Sequence, residues 1–393
     1  MAFKDVVEKL YTFRDHYFEN HKVESEEQKI NDLSEELNKT LKIFEDHKDE
    51  QDSLKKAEYD LLRAKALNVL PEFNSDALEI LTKLVKFHPK MIDAWNELGT
   101  CFWKKGDMKA AKSCFESALR EEKNPESLRN LSMILRQVGQ TPEEKLAKIH
   151  ESLEKAKEAV NLNIQDGKSW YILGNAYLSL YFTADQNSNL LKQCLSAYSH
   201  AFSDDTMRCN PDLYYNWAMA LKYDENYRLA LENLEKSLKY DPFWNDPKEQ
   251  LEMLVKHLEN IQHMITKKGK MKPRKIKDIL NALQKELAAS NTSETCVDRK
   301  GQTITLERCK FSDLQEGLNS NKVLRGKVIC HVYCTDSPSF TFCMIDEEEN
   351  CFYKTFSFSS IRVNSPLQLE VNKKKLGHEM LAAPRLSVTL KSD

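Results

Sequence analysis

Two aspartates, Asp212 and Asp246, stand 34 residues apart in a chain of 393 residues. Carboxylates repeated at that spacing can grip an arginine side chain or an α-amine. Asn96, Arg129, Tyr171 and Tyr215 share a second recurrent position, and Arg136 and Asn175 lie one or two helical turns beyond it. An arginine fork holds a carboxylate through two parallel hydrogen bonds. Carboxylates, arginine and aromatic rings together therefore suit a short peptide of mixed charge. An aspartate just before a helix is also a common N-cap; at Asp212, which follows Pro211, the cap and ligand roles are compatible.

A second chemistry lies in a basic run. Lys267, Lys268, Lys270, Lys272, Arg274, Lys275 and Lys277 fall within eleven residues, broken by Gly269 and Pro273. Such clusters neutralise phosphates. The run reads as an RNA or DNA contact, a nuclear-import signal or a solvated helix junction, and its density favours the first two.

Catalytic chemistry is poorly served. Gly167-Lys168-Ser169 imitates the tail of a phosphate loop, but Leu162 stands where that motif needs glycine. His150, His200 and His257 are isolated in helical stretches. Cys330 and Cys334 flank His331, yet a zinc site needs about four closely spaced ligands and no second pair follows. The ten cysteines contain no CxxC pair and read as free, mostly buried thiols. No enzyme, metal or cofactor is expected.

The elements that position the binding residues come from an internal repeat. In Ala94-Trp95-Asn96-Glu97-Leu98-Gly99-Thr100-Cys101-Phe102, apolar residues fall at helical spacing around Gly99, and Gly106-Asp107 makes a turn. A second helix carries Ala111, Phe115 and Ala118 on one face. Ala77, Leu81 and Leu84 precede these three by 34 residues each. The pattern restarts at Trp170-Tyr171-Ile172-Leu173-Gly174, with Cys194, Tyr198 and Ala201 following after an insertion around Thr183–Asn189. It continues at Tyr214, Trp217 and Ala218, then Ala230 and Leu234. A diverged copy uses Leu128, Leu131, Ser132 and Leu135, a polar insertion over Gly139–Glu144 and a helix around Leu153–Val160. A further helix is predicted from Pro247 to Thr266. These are tetratricopeptide repeats, pairs of antiparallel helices that stack into a superhelix with a concave groove. The groove lacks a recurrent Lys/Asn set, which argues against the carboxylate-clamp type of repeat domain.

The predicted fold is mainly α, with a small all-β domain at the C-terminal end. Residues 1–57 read as capping helices, with apolar stripes at Val6, Val7, Leu10, Phe13 and Tyr17 and at Ile30, Leu33, Leu37, Leu41 and Phe44. Residues 58–266 read as an array of about five to six repeats, and 267–300 as the basic segment, a helix and a linker at Ala289–Ser293. From 301 to 393, alternating runs at Thr303–Leu306, Gly326–Tyr333, Ser339–Ile345 and Phe356–Val363 predict a small barrel of the OB-fold type. Composition agrees: only 10 glycines and 30% charged residues favour solvated helices over Gly-rich α/β folds. A formal charge of −3 gives no global attraction to nucleic acid, so the local run must supply any. No apolar stretch is long enough to span a membrane. Lys4, Asp5, Glu8 and Lys9 stand where a signal peptide needs apolar residues, so an intracellular protein is expected.

Lys65-Ala66-Leu67-Asn68-Val69, Asn130-Leu131-Ser132-Met133-Ile134-Leu135-Arg136-Gln137, Tyr177-Leu178-Ser179-Leu180-Tyr181-Phe182, Asn210-Pro211-Asp212-Leu213 and Ser357–Val363 go beyond the generic repeat consensus. Through them the chain resembles the tetratricopeptide repeat protein 5 (Strap) family, which pairs a repeat array with an OB-fold. The resemblance implies an adaptor that recognises the N-terminal Met-Arg-Glu of nascent tubulin at the ribosome and triggers tubulin mRNA decay through recruited factors. It implies, alternatively, a nuclear stress-responsive cofactor joining an acetyltransferase co-activator to a tumour-suppressor transcription factor, with DNA contact through the OB-fold. Cytoplasmic and nuclear locations both follow. In the first role, residues corresponding to Arg136, Asp212 and Asp246 hold the peptide, and Lys272 and Arg274 match residues placed against ribosomal RNA. Asp246 replaces a longer acid of the family and Arg274 replaces a lysine. Between Cys351–Tyr353 and Phe356–Phe358 the chain is shorter than the family pattern by more than one strand, so an OB-fold missing a strand is expected.

Overall fold

The computed structural model describes residues 3–22, 25–47, 53–184, 187–289, 293–297, 303–314, 317–319, 322–333, 340–356, 368–372 and 385–389. None of its helices is long and apolar enough to cross a membrane. The chain forms two compact units: Met1–Asp224 with Glu232–Lys248, and Glu225–Leu231 with Glu249–Asp393.

The first unit is helical. Helices α1 (Phe3–Asp15), α2 (Tyr17–Asn20) and α3 (Glu26–Asp46) precede α4 (Ser53–Leu67). Val7, Leu10, Leu33, Leu37 and Phe44 bury their side chains against Tyr59 and Ala66 of α4. These helices thereby cover the end of the array, as a stack of repeats requires. Then come α5 (Ser75–Phe87), α6 (Ile92–Lys104), α7 (Met108–Glu121), α8 (Pro125–Leu135), α9 (Pro142–Leu162), α10 (Gly167–Thr183), α11 (Ser188–Phe202) and α12 (Pro211–Tyr223). Helices α13 (Tyr227–Tyr240) and α14 (Asn245–Thr266) have residues in both units.

Small residues set the spacing within each pair. A methyl group on Gly99 would stand 2.4 Å from the Phe115 ring, and one on Gly174 would stand 2.4 Å from the Tyr198 ring. Ala77, Ala94 and Ala111 are fully buried. Gly106, at φ +85°, makes the turn that lets Asp107 cap α7 through the Ala110 N–H at 2.9 Å.

Three local readings are corrected. The stretch Gly139–Glu144 is not all insertion, because α9 begins at Pro142. Thr141 accepts from the Glu144 N–H at 3.2 Å while Glu144 accepts from the Gln140 N–H at 3.0 Å, a helix-starting arrangement written in Thr-Pro-Glu-Glu. The supposed insertion Thr183–Asn189 contains the end of α10 and the start of α11, with residues 185 and 186 outside the described set. Asp212 and Asp246 do not precede their helices; each is the second residue of one.

The second unit carries the basic run and the strands. A 3₁₀ turn at Lys268–Lys270 separates α14 from α15 (Pro273–Ala289). Lys268, Gly269 and Lys270 all have positive φ, at 45°, 66° and 57°. Helix α15 has no acid in its first turn. Strands β1 (Ser293–Val297), β2 (Thr303–Cys309) and β4 (Lys322–Leu324) form one sheet, in the order β1-β2-β4. The other has the order β3-β8-β9-β7-β6-β5, built from β3 (Gly317–Asn319), β5 (Lys327–Val332), β6 (Phe340–Ile345), β7 (Cys351–Phe356), β8 (Gln368–Asn372) and β9 (Arg385–Thr389). Ala289 closes α15 and Ser293 opens β1, so the expected linker is reduced to residues 290–292, outside the described set. Of the strand expected over Phe356–Val363, Phe356 ends β7; residues 357–363, like Cys334, lie outside the described residues.

The β6–β7 hairpin turn is tied by Asp346, which is 1% exposed and accepts from the N–H groups of Glu348 at 3.0 Å and Asn350 at 2.7 Å. Its three glutamates each find a cation: Glu347 meets Arg308 at 2.9 Å, Glu348 meets Lys310 at 2.7 Å and Glu349 meets Lys268 at 2.5 Å. Phe311 stacks on buried Phe352 at 5.3 Å, in a core with Cys309 and Leu314.

Candidate functional site

The repeats place two polar clusters on the first unit. The first gathers around Tyr171 on α10. Asn216, one turn after Asp212 on α12, donates to the Tyr171 hydroxyl at 3.1 Å. Tyr198 on α11 donates to the Asn175 Oδ1 at 2.7 Å. Arg136, the C-cap of α8, donates from Nη1 to the Ile172 carbonyl at 3.2 Å.

The charges in this cluster bear on one another. Burial holds the Arg136 guanidinium below the usual arginine range, while the nearby Tyr198 and Tyr171 oppose that shift. Tyr171 is pushed up to about 12, chiefly by burial and next by the Asp212 charge. Asp212 is solvent-accessible, yet protein surrounds it on enough sides to raise its carboxyl above the usual range, and the Asp241 charge adds to the shift. Among the described residues, Arg136 makes no ion pair. Its shift has no carboxylate among its causes. An arginine with five donors, sunk among tyrosines with one carbonyl bond, is poised for an incoming acceptor.

At the start of α12 the capping role falls to the neighbour of Asp212. Asn210 is the N-cap of α12, accepting from the N–H groups of Asp212 at 2.9 Å and Leu213 at 3.2 Å. The Asp212 carboxylate is thus not committed to the helix end.

The second cluster joins Tyr215, Trp244 and Asp246. The Tyr215 and Trp244 rings lie 4.8 Å apart, and the Trp244 Nε1 donates to Asp246 Oδ2 at 3.3 Å. Asp246 is exposed.

Two expected groove residues are placed elsewhere. Asn96 is 2% exposed and accepts from the Ser127 hydroxyl at 2.7 Å, linking one repeat to the next. Arg129 is held in an ion pair by Asp166, which also takes the Ser169 hydroxyl at 2.5 Å. Both residues join one repeat to the next through these bonds.

Sequence reasoning missed Tyr198, Asn216 and Trp244. Tyr198 read as a packing residue of the repeat. Asn216 had a usable signal, a polar residue four positions after Asp212 on the same helix face.

The basic run divides in two. Lys268 is half-buried in its ion pair with Glu349. Lys270, Lys272, Arg274 and Lys275 are exposed, as are Lys267 and Lys277.

Comparison with known proteins adds the lineage. The Tetratricopeptide repeat family matches residues 92–125, and the Tetratricopeptide repeat protein 5 OB fold domain matches residues 305–355. The chain is 37% identical to tetratricopeptide repeat protein 5 of Homo sapiens over 410 residues, covering 95% of this chain and 93% of the relative. It is 38% identical to the Bos taurus protein of the same name over 416 residues, covering 97% and 94%. Among solved structures, the APC/C hetero-tetramer Cut9-Hcn1 aligns at a TM-score of 0.47 and 16% identity, over 65% of this chain and 49% of that one. YrrB, a tetratricopeptide repeat protein with an unusual peptide-binding site, aligns at 0.35 and 22%, over 52% and 94%.

Proposed function

This chain belongs to the tetratricopeptide repeat protein 5 family of repeat adaptors, and from that premise we propose that its first unit reads the N-terminal Met-Arg-Glu of nascent tubulin at the ribosome and starts tubulin mRNA decay. The observation that carries this reading is Arg136, sunk beside Tyr171 and Tyr198 with no carboxylate partner among the described residues. A peptide glutamate supplies the missing anion, held by the guanidinium fork. The peptide arginine or α-amine meets the carboxylates of Asp212 and Asp246, and Asn175 and Asn216 offer amides to its backbone. No bond to substrate is made or broken; the site binds and orients.

The basic run supports the ribosomal half of this reading. Exposed Lys270, Lys272, Arg274 and Lys275 can each neutralise a phosphate of ribosomal RNA. The mRNA-decay factors would be recruited once peptide and ribosome are both engaged.

The test is a titration of fluorescent Met-Arg-Glu-Ile peptide into the purified chain, against a Met-Ala-Ala-Ile control and an Asp212→Ala variant. Selective binding that the variant loses is expected. A well-folded chain that ignores the peptide overturns the reading. Binding of duplex DNA that persists in Asp212→Ala, without peptide binding, would favour the nuclear scaffold.

A further inference from the structure

Three cysteines of the second unit lie side by side on adjacent strands. Cys330 of β5 is the register partner of Cys343 of β6. On β7, Cys351 is paired with Ile345, two residues from Cys343 on the same face. The Cys343 and Cys351 sulfurs are 3.3 Å apart. Above the row sits the left-handed turn of the basic run: a methyl group on Gly269 would stand 3.1 Å from the Cys330 sulfur. We propose that Cys343 and Cys351 form a reversible, peroxide-sensitive disulfide, with Cys351 the attacked thiol and Cys343 the resolving one.

Three observations fit these roles. Cys351 is half-buried and so reachable, whereas Cys343 is fully buried. The Cys343 and Cys351 sulfurs share a hydrogen bond, and the Lys268 ammonium adds a positive field; together they hold the Cys351 thiol below its usual range. Cys343 is raised by the same hydrogen bond and by burial, so it keeps its proton until its partner is oxidised. Thiolate character next to a lysine is what makes one cysteine of a pair react first. A disulfide needs its sulfurs at about 2.05 Å, so the pair must close by about 1.3 Å from its contact distance.

The chemistry balances without any bound cofactor. The Cys351 thiolate attacks one oxygen of hydrogen peroxide, the O–O bond breaks, and hydroxide leaves to become water, giving a sulfenic acid. The Cys343 sulfur then attacks the Cys351 sulfur, the S–O bond breaks, and the Cys343 proton leaves with the hydroxide as a second water. Two thiols are oxidised and one peroxide becomes two waters. A dithiol reductant reverses the bond by exchange.

The test uses the purified full chain. It is treated with hydrogen peroxide, alkylated, digested and mapped by mass spectrometry. A peptide pair joined through Cys343 and Cys351, and lost on reduction, is expected. In Cys343→Ser the reaction should stop at a Cys351 sulfenic acid that dimedone traps. Lys268→Met should slow the oxidation by roughly threefold or more. Full alkylation of both thiols after peroxide, or a main product that joins other cysteines, overturns the proposal. Should Cys343→Ser fail to fold by circular dichroism, the mapping on the unaltered chain decides alone.

Discussion

Helix α8 and its C-cap carry two arginines two turns apart, Arg129 and Arg136, and they live differently. Arg129 has Asp166 against it, with 17% and 16% of the two side chains exposed. Arg136 has a carbonyl, two tyrosines and, among the described residues, no ion pair. One cation holds two repeats together; the other is left short of an anion in a place where burial already costs it. The contrast teaches how to sort charged residues of a repeat array. On the proposed reading, a closed pair is scaffold, and a sunken cation without its counter-charge is an address for a ligand. The same contrast recurs in the second unit, where Lys268 meets Glu349 at 2.5 Å and Lys272 is exposed.

Breaking the closed pair should have the largest effect on stability. Arg129→Ala leaves Asp166 without its cation, and a loss of about 3 kcal/mol is expected by denaturant unfolding. Arg136→Ala should cost under about 1 kcal/mol while abolishing peptide binding, since no ion pair is broken. If the two variants unfold alike, the sorting fails.

The walls of the open site come next. Gly174→Ala drives a methyl group into the Tyr198 ring, and Gly99→Ala does the same to Phe115. Each should lose about 1–3 kcal/mol from overpacking. Only Gly174→Ala should also weaken the peptide, because Tyr198 holds Asn175. Equal loss of binding in both would mean that the array senses strain as a whole.

Smaller still is the effect expected at the basic run. Lys272→Ala should lower the salt slope of RNA binding by about one with no change in melting. The smallest effect is that of Asp212. Its folded pKa is raised, so protonation stabilises the native chain; that contribution is complete below the ordinary carboxylate pKa and is lost as pH rises through the raised value. Asp212→Asn should therefore melt slightly higher than the parent at neutral pH, yet bind no peptide. In the parent, peptide affinity should fall on acidification at a higher pH than an ordinary aspartate would give. A variant that melts lower at neutral pH would show the carboxylate to be structural.

The repeat architecture was legible because its spacing is enforced by contact. Gly99 against Phe115 and Gly174 against Tyr198 leave no room for other residue types, so the period survives in the sequence. The site was legible only in part. Repeat arithmetic singled out Asp212 and Asp246 together with Asn96 and Arg129, but the contacts of the last two are set by what the next repeat presents: Ser127 for one, Asp166 for the other. Tyr198 was hidden behind its packing role. Strand β1 falls in the stretch read as a linker, and β7 follows an acidic turn whose order depends on Asp346.

Helix α15 opens with Pro273-Arg274-Lys275 and has no acid in its first turn. The start of a helix carries about half a positive charge from its aligned peptide dipoles. Cations there repel that charge, so the unbound chain stores unfavourable electrostatic energy at this point. A polyanion laid across it releases that energy and firms the first turn of α15. By linkage, ribosomal RNA or any phosphate chain bound there should act as a thermal stabiliser of the helix it touches.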